Sequence, residues 1–352
     1  MSSKAEEKRM IHYDLLRILA AFSVVMLHSA AQFWYTLDIY GGEWLVANSY
    51  DAVFRFGVPI FVMISGALFL SPEYQLDIKR LYQHNVLRLL IMYIIWSCVY
   101  GMWDCMVFGL WEQGWKAIIR ELIQGRYHLW FLPMLIGIYM LLPMLKSWIS
   151  HAEEKNIRYF LGLFVAFQIG SETVRALTVM DELHYVLDVV EVELACSYVG
   201  YFVLGYYLAH YQIGKKLRKV LYICVVPAVL CNILLGNYLA RRAGEATGAI
   251  YDSYGVFTFI IAVTLFIFFR EFVGKKGLEG RWNRLIRELS ADTLGVYILH
   301  IGLIEGLKLI GIHSMLLPNI VGIPLYAMCC FLICMVFAAV LRRLPVIGRY
   351  LC

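Results

Sequence analysis

The stretch Tyr13-Asp14-Leu15-Leu16-Arg17-Ile18-Leu19-Ala20-Ala21-Phe22-Ser23-Val24-Val25-Met26-Leu27-His28 belongs to an apolar run that continues to about residue 33. Roughly 20 such residues cross a hydrocarbon core of about 30 Å as a helix. A charged side chain inside such a span costs roughly 2.5–3.5 kcal/mol on insertion scales, so each one needs a partner or a purpose. Arg17 and His28 stand eleven positions apart. At about 100° per residue that is three turns plus about 20°, so both project from one face, about 16 Å apart along the axis. Asp14, three residues before Arg17, is placed to pair with it.

Further runs of spanning length fall at about 51–71, 86–109, 129–149, 157–177, 196–211, 217–238, 254–272, 291–310 and 320–341. The chain is 61% hydrophobic and only 16% charged, too little polar surface to wet a soluble globule of its 352 residues. The predicted fold is all-α: a polytopic integral membrane helical bundle of about ten transmembrane helices. Residues 1–12 are expected to form a cytoplasmic segment, 13–342 the transmembrane domain and 343–352 a cytoplasmic tail. The first helix has no small-residue cleavage site after it and is expected to be retained.

The net charge of +5 comes without a concentrated basic tract, so no nucleic-acid partner is expected. Membrane lipid is the expected surrounding. The basic residues do sort by side. With the amino terminus in the cytoplasm, all but eight of the 31 Lys and Arg fall at cytoplasmic ends; Arg55, Lys116, Arg120, Arg126, Arg175, Arg241, Arg242 and Lys308 are the exceptions. The positive-inside rule then predicts that both termini are cytoplasmic. The outer stretch of about 178–195 is acidic, read as a solvated loop or a substrate contact. The cysteines show no CxxC or Cys/His metal spacing and read as small buried hydrophobes; no metal is expected.

A long donor with an anionic head suits the placement of Arg17 and His28. An arginine near the cytoplasmic mouth holds phosphate oxygens bidentately, and a deep neutral imidazole serves as a general base for a hydroxyl. The alternative is that His28 bonds a neighbouring helix while Arg17 snorkels. Other residues are open in the same way. Ser65-Gly66 admits either a ligand or a close-packed helix. Glu172 and Arg175 most simply neutralise one another. His128 and Trp130 are an interface anchor or a ligand site, and Arg55, near the outer end of its span, faces an acceptor or snorkels. Tyr297 and His300 are candidates for the cavity that holds His28.

Five segments, in order, resemble the acyltransferase-3 family of membrane acyltransferases. They are Tyr13–His28 with its D-x-x-R and R-x10-H spacing, Arg55–Gly66 with V-P-x-F followed by S-G, His128-Leu129-Trp130-Phe131-Leu132, Gly200–Leu208, and Thr293–His300 with G-x-Y-x-x-H. The resemblance covers almost the whole chain. It implies an acyl-CoA co-substrate, acetyl-CoA first among them, with no tightly bound cofactor, and transfer to a hydroxyl of a cell-envelope glycan or lipid-linked sugar. It makes His28 the catalytic histidine and Arg17 its functional partner, with Arg55, Tyr297, His300 and His128 toward the acceptor. The family's R-x-x-R at the start of the third span is matched only by Arg88; Asn85 stands where the first arginine is expected, and Arg80 or His84 is available from a neighbouring turn. The expected location is a bacterial cytoplasmic membrane, with glycan-pathway proteins as possible partners. A transporter or flippase using the same polar cavity is the rival reading, although no repeat of two related halves is visible.

Overall fold

A computed structural model describes residues 10–178, 192–273, 281–345 and 348–352, with the backbone alone for 192–196 and 349. Most of the acidic stretch 178–195 lies outside the described residues, as do Lys4, Lys8, Arg9, Lys275 and Lys276. Every described element is helical, and no strand occurs among the described residues. The first span is α1, Ile11–Ala30, followed by α2, Gly42–Phe54, and α3, Gly57–Phe69. After a helical turn and a π-helical segment, Leu81–Val86, come α4, Leu87–Phe108, the short α5, Trp115–Gln124, and α6, Phe131–His151. Next are α7, Glu154–Leu163, α8, Gly170–Leu177, α9, Val192–His210, and α10, Lys215–Ala243. The last are α11, Val256–Phe268, α12, Arg281–Leu309, α13, Asn319–Arg342, and the single turn α14, Gly348–Leu351.

Eight helical runs among the described residues are long and apolar enough to cross a membrane. The other two expected spans, α9 and α12, are helices as well; α12 is interrupted by Asp292, Glu305 and Lys308. The second run extends over Gly42–Phe69, longer than its apolar stretch suggests. Arg55 therefore lies at the break between α2 and α3 in the middle of that run, not near its outer end.

Helices in lipid gain no hydrophobic drive toward one another, so contact relies on small residues that let backbones approach. Three glycines do this here. A Cβ on Gly57 would sit 2.8 Å from the Ala20 carbonyl oxygen of α1. On Gly66 it would lie 1.7 Å from Phe202 O in α9, and on Gly205 it would lie 1.9 Å from Met63 O in α3. Ser65-Gly66 thus serves helix packing. Helix α1 takes the central place, with Leu16, Ala20, Ala21 and Val25 almost wholly buried against α2, α3, α12 and α13.

Polar contacts tie the helix ends into two sets. At one end Lys146 bonds Leu70 O and Ser71 O, Arg270 bonds Leu208 O and Tyr211 O, and Arg218 pairs with Glu271 at 2.6 Å. Arg342 pairs there with Glu288 and Asp292, each at 2.6 Å. The residues after α13 fold back to the same end, where Trp96 Nε1 donates to Leu351 O at 3.0 Å. At the other end Lys308 reaches Gln32 O, Asn319 reaches Glu43 O, and Arg175 pairs with Glu172 at 3.0 Å. Helix α5 belongs to this second end. It packs back along α4, where Ile123 O accepts from Tyr93 at 2.7 Å and a Cβ on Gly125 would lie 2.8 Å from Ser97 Oγ, while Trp115, Ile119 and Ile123 face outward.

Candidate active site

Near the second end of α1, His28 is half-buried, and its ring makes no hydrogen bond among the described residues. Two rings pack against it. Tyr127 is 5.8 Å away between centroids, and His300 of α12 is 5.1 Å away. His128 stacks edge-on against His300 at 5.3 Å, so His300 is the middle of three histidines. These residues come from α1, from the 3-10 turn Tyr127–Trp130 and from α12, and only the fold brings them together.

Backbone carbonyls of α12 fix two of the three rings. His300 Nδ1 is 2.5 Å from Tyr297 O, and His128 Nε2 is 3.1 Å from Ile298 O. A carbonyl only accepts, so each of these nitrogens carries the proton and the opposite nitrogen carries a lone pair. Those lone pairs, on His300 Nε2 and His128 Nδ1, are buried and have no partner. A buried polar atom left unpaired costs about 1–3 kcal/mol. The Tyr297 hydroxyl bonds His128 O, and Tyr100 donates to Ile298 O at 2.7 Å while accepting from Gly302 N at 3.1 Å. The 297–302 segment of α12 is thus the frame on which His128 and His300 are held.

Contrary to an interface role for both, His128 is only 2% exposed, whereas Trp130 on the same turn is 41% exposed. In a 3-10 turn, at three residues per turn, residues two apart point about 120° apart, so the histidine goes in and the indole out. Arg126, just before the turn, bonds Asp104 of α4 and Glu305 of α12, the latter at 2.6 Å. Burial and the nearby Asp104 carboxylate push the Glu121 carboxyl above its usual range. Sequence reading missed this clamp, although Asp104 and Glu305 carry the same insertion cost that drew attention to Arg17.

Arg17 sits at the first end, 3.6 Å from Asp14, whose Oδ1 also accepts from Ser290 at 2.7 Å. Tyr139 lies within electrostatic reach of both Arg17 and Arg88. Arg88 is half-buried and bonds Cys352 O, and Arg80 is exposed. The π-helical segment Leu81–Val86 lies between them and accommodates one extra residue per turn. Eight positions then count as about seven of an ordinary helix, about 700°, so Arg80 and Arg88 return to within about 20° of one face. Arg55 makes a bidentate pair with Asp51, at 2.9 and 2.6 Å, and lies over the Tyr251 ring at 5.4 Å. Its Nη1 remains available for another acceptor. No group of three His, Cys, Asp or Glu among the described residues could hold a metal ion.

Spanning helices, intramembrane histidines and arginines at one mouth define a multi-pass membrane enzyme. Residues 11–340 match the acyltransferase-3 family model, described as an acyltransferase domain, and the chain belongs to that family of membrane acyltransferases. No curated protein and no solved structure matches the chain.

Proposed function

We propose that the protein transfers an acyl group, acetyl from acetyl-CoA, to a hydroxyl of an envelope glycan or lipid-linked sugar at a bacterial cytoplasmic membrane. The observation that carries this reading is the shared face of Arg17 and His28, with a half-buried imidazole that makes no hydrogen bond among the described residues. About 16 Å separates the two, a distance suited to a donor whose phosphates rest by Arg17, Arg88 and Arg80 while its thioester reaches His28. Arg55, with its spare N–H, faces the acceptor side.

In the transfer, the acceptor oxygen forms a bond to the thioester carbonyl carbon while His28 takes the hydroxyl proton. The C–S bond then breaks, and His28 returns the proton to the leaving thiolate, so the enzyme ends unchanged. Family membership supports this over a carrier.

The test is His28→Ala in cells with matched protein levels, reading ester-linked acetyl on the envelope glycan. General-base loss predicts a fall of about 100-fold or more. Acetyl content equal to that of the unaltered protein overturns the assignment.

A further inference from the structure

We propose that His300 is a positioning residue that accepts a hydrogen bond from His28 and thereby fixes which nitrogen of His28 acts as the base. This rests on the reading of His28 as the general base. His300 is wholly buried, its Nδ1–H is held by Tyr297 O, and its Nε2 lone pair has no partner. The nearest ring with a free N–H is His28, at 5.1 Å between centroids and tilted by 42°. That separation admits one direct N–H···N bond and leaves no room for a bridging water. The rings are not bonded in this structure. The χ2 torsion of histidine is broad, and a rotation of the half-buried His28 ring closes the gap. Such bonds often tighten only once substrate is bound.

The arrangement has a direct chemical consequence. An isolated imidazole exchanges its single proton between two nitrogens, and only one tautomer leaves the substrate-facing nitrogen unprotonated. Donation to His300 Nε2 commits the N–H of His28 to the protein side. When His28 takes the hydroxyl proton, its second N–H still points at a lone pair, so the imidazolium is stabilised without a buried counter-charge. His128 cannot replace His300 in this role. It contacts His300 and Tyr127 but not His28, and its own ring is held by Ile298 O.

The experiment compares His300→Leu and His300→Gln in isolated membranes, using radiolabelled acetyl-CoA and reading label transferred to endogenous acceptors. Leucine removes the acceptor atom, whereas glutamine restores one at similar reach. His300→Leu is expected to lower the maximal rate about 100-fold with the acetyl-CoA KM within about twofold. His300→Gln is expected to recover at least about tenfold of that loss. A maximal rate for His300→Leu near that of the unaltered protein overturns the proposal, and so do equal losses in the two variants. If His300→Leu does not fold, His300→Asn replaces it, since its shorter side chain withdraws the acceptor; equal rates for Asn and Gln then overturn the proposal. Full transfer by His28→Ala identifies the other failure, that of the base assignment itself.

Discussion

Gly66 shows how little room the bundle leaves at single positions. Its missing Cβ would lie 1.7 Å from a backbone oxygen, and backbone cannot swing aside as the end of a flexible side chain can. Gly66→Ala must therefore push α3 and α9 apart, and overpacking of this kind costs about 3 kcal/mol. The expected outcome is a clearly lower thermal unfolding midpoint in detergent. Gly137→Ala in α6 is the control, because nothing lies within 4 Å of its missing Cβ. There alanine gains roughly 1 kcal/mol of helix propensity and should leave the midpoint unchanged or raised. Equal losses at both sites would count against backbone contact as the reason for this glycine.

At the scale of elements, apolar run length reported where the helices lie: each of the ten runs read from the sequence falls on helix among the described residues, eight of them in helical runs long and apolar enough to cross a membrane. It did not report how a helix is wound. The π-helical segment Leu81–Val86 is set by an i→i+5 pattern that leaves no trace in hydropathy. The break at Arg55 escaped because α2 continues the run beyond its most apolar part. The site was half legible in the same sense. Arg17 and His28 share a helix, so their spacing alone placed them on one face, whereas the meeting of His28 with His300 depends on the packing of α1 against α12. The winding of the third span bears on the donor. If the donor binds as proposed, Arg80, in line with Arg88, serves where Asn85 does not, and Arg80→Gln is then expected to raise the acetyl-CoA KM about tenfold, worth about 1.4 kcal/mol, with kcat little changed. Donor-saturation curves on membranes measure this. A KM for Arg80→Gln equal to that of the unaltered protein, with Arg88→Gln alone raising it, would remove Arg80 from the donor site.

For the molecule as a whole, the decisive property is direction. The contacts keep two groups of basic residues at opposite ends: Arg88, Lys146, Arg218, Arg270 and Arg342 at one, Arg126, Arg175 and Lys308 at the other. The richer end is the one that should stay in the cytoplasm, because Lys and Arg are retained there during insertion. Under the proposed function that direction brings Arg17 and Arg88 to the side of a cytoplasmic donor and His28 toward the opposite face. Two exposed positions read it out, one in the first turn of α10 and one just after its last residue. Lys216→Cys should react with a membrane-impermeant maleimide only after the cells are permeabilised, and Glu245→Cys should react in intact cells, each compared with the protein lacking the added cysteine. The reverse labelling pattern would place the arginine mouth outside, where a cytoplasmic acyl donor has no access. The orientation and the donor assignment would then fall together, because the donor assignment needs the arginine mouth in the cytoplasm.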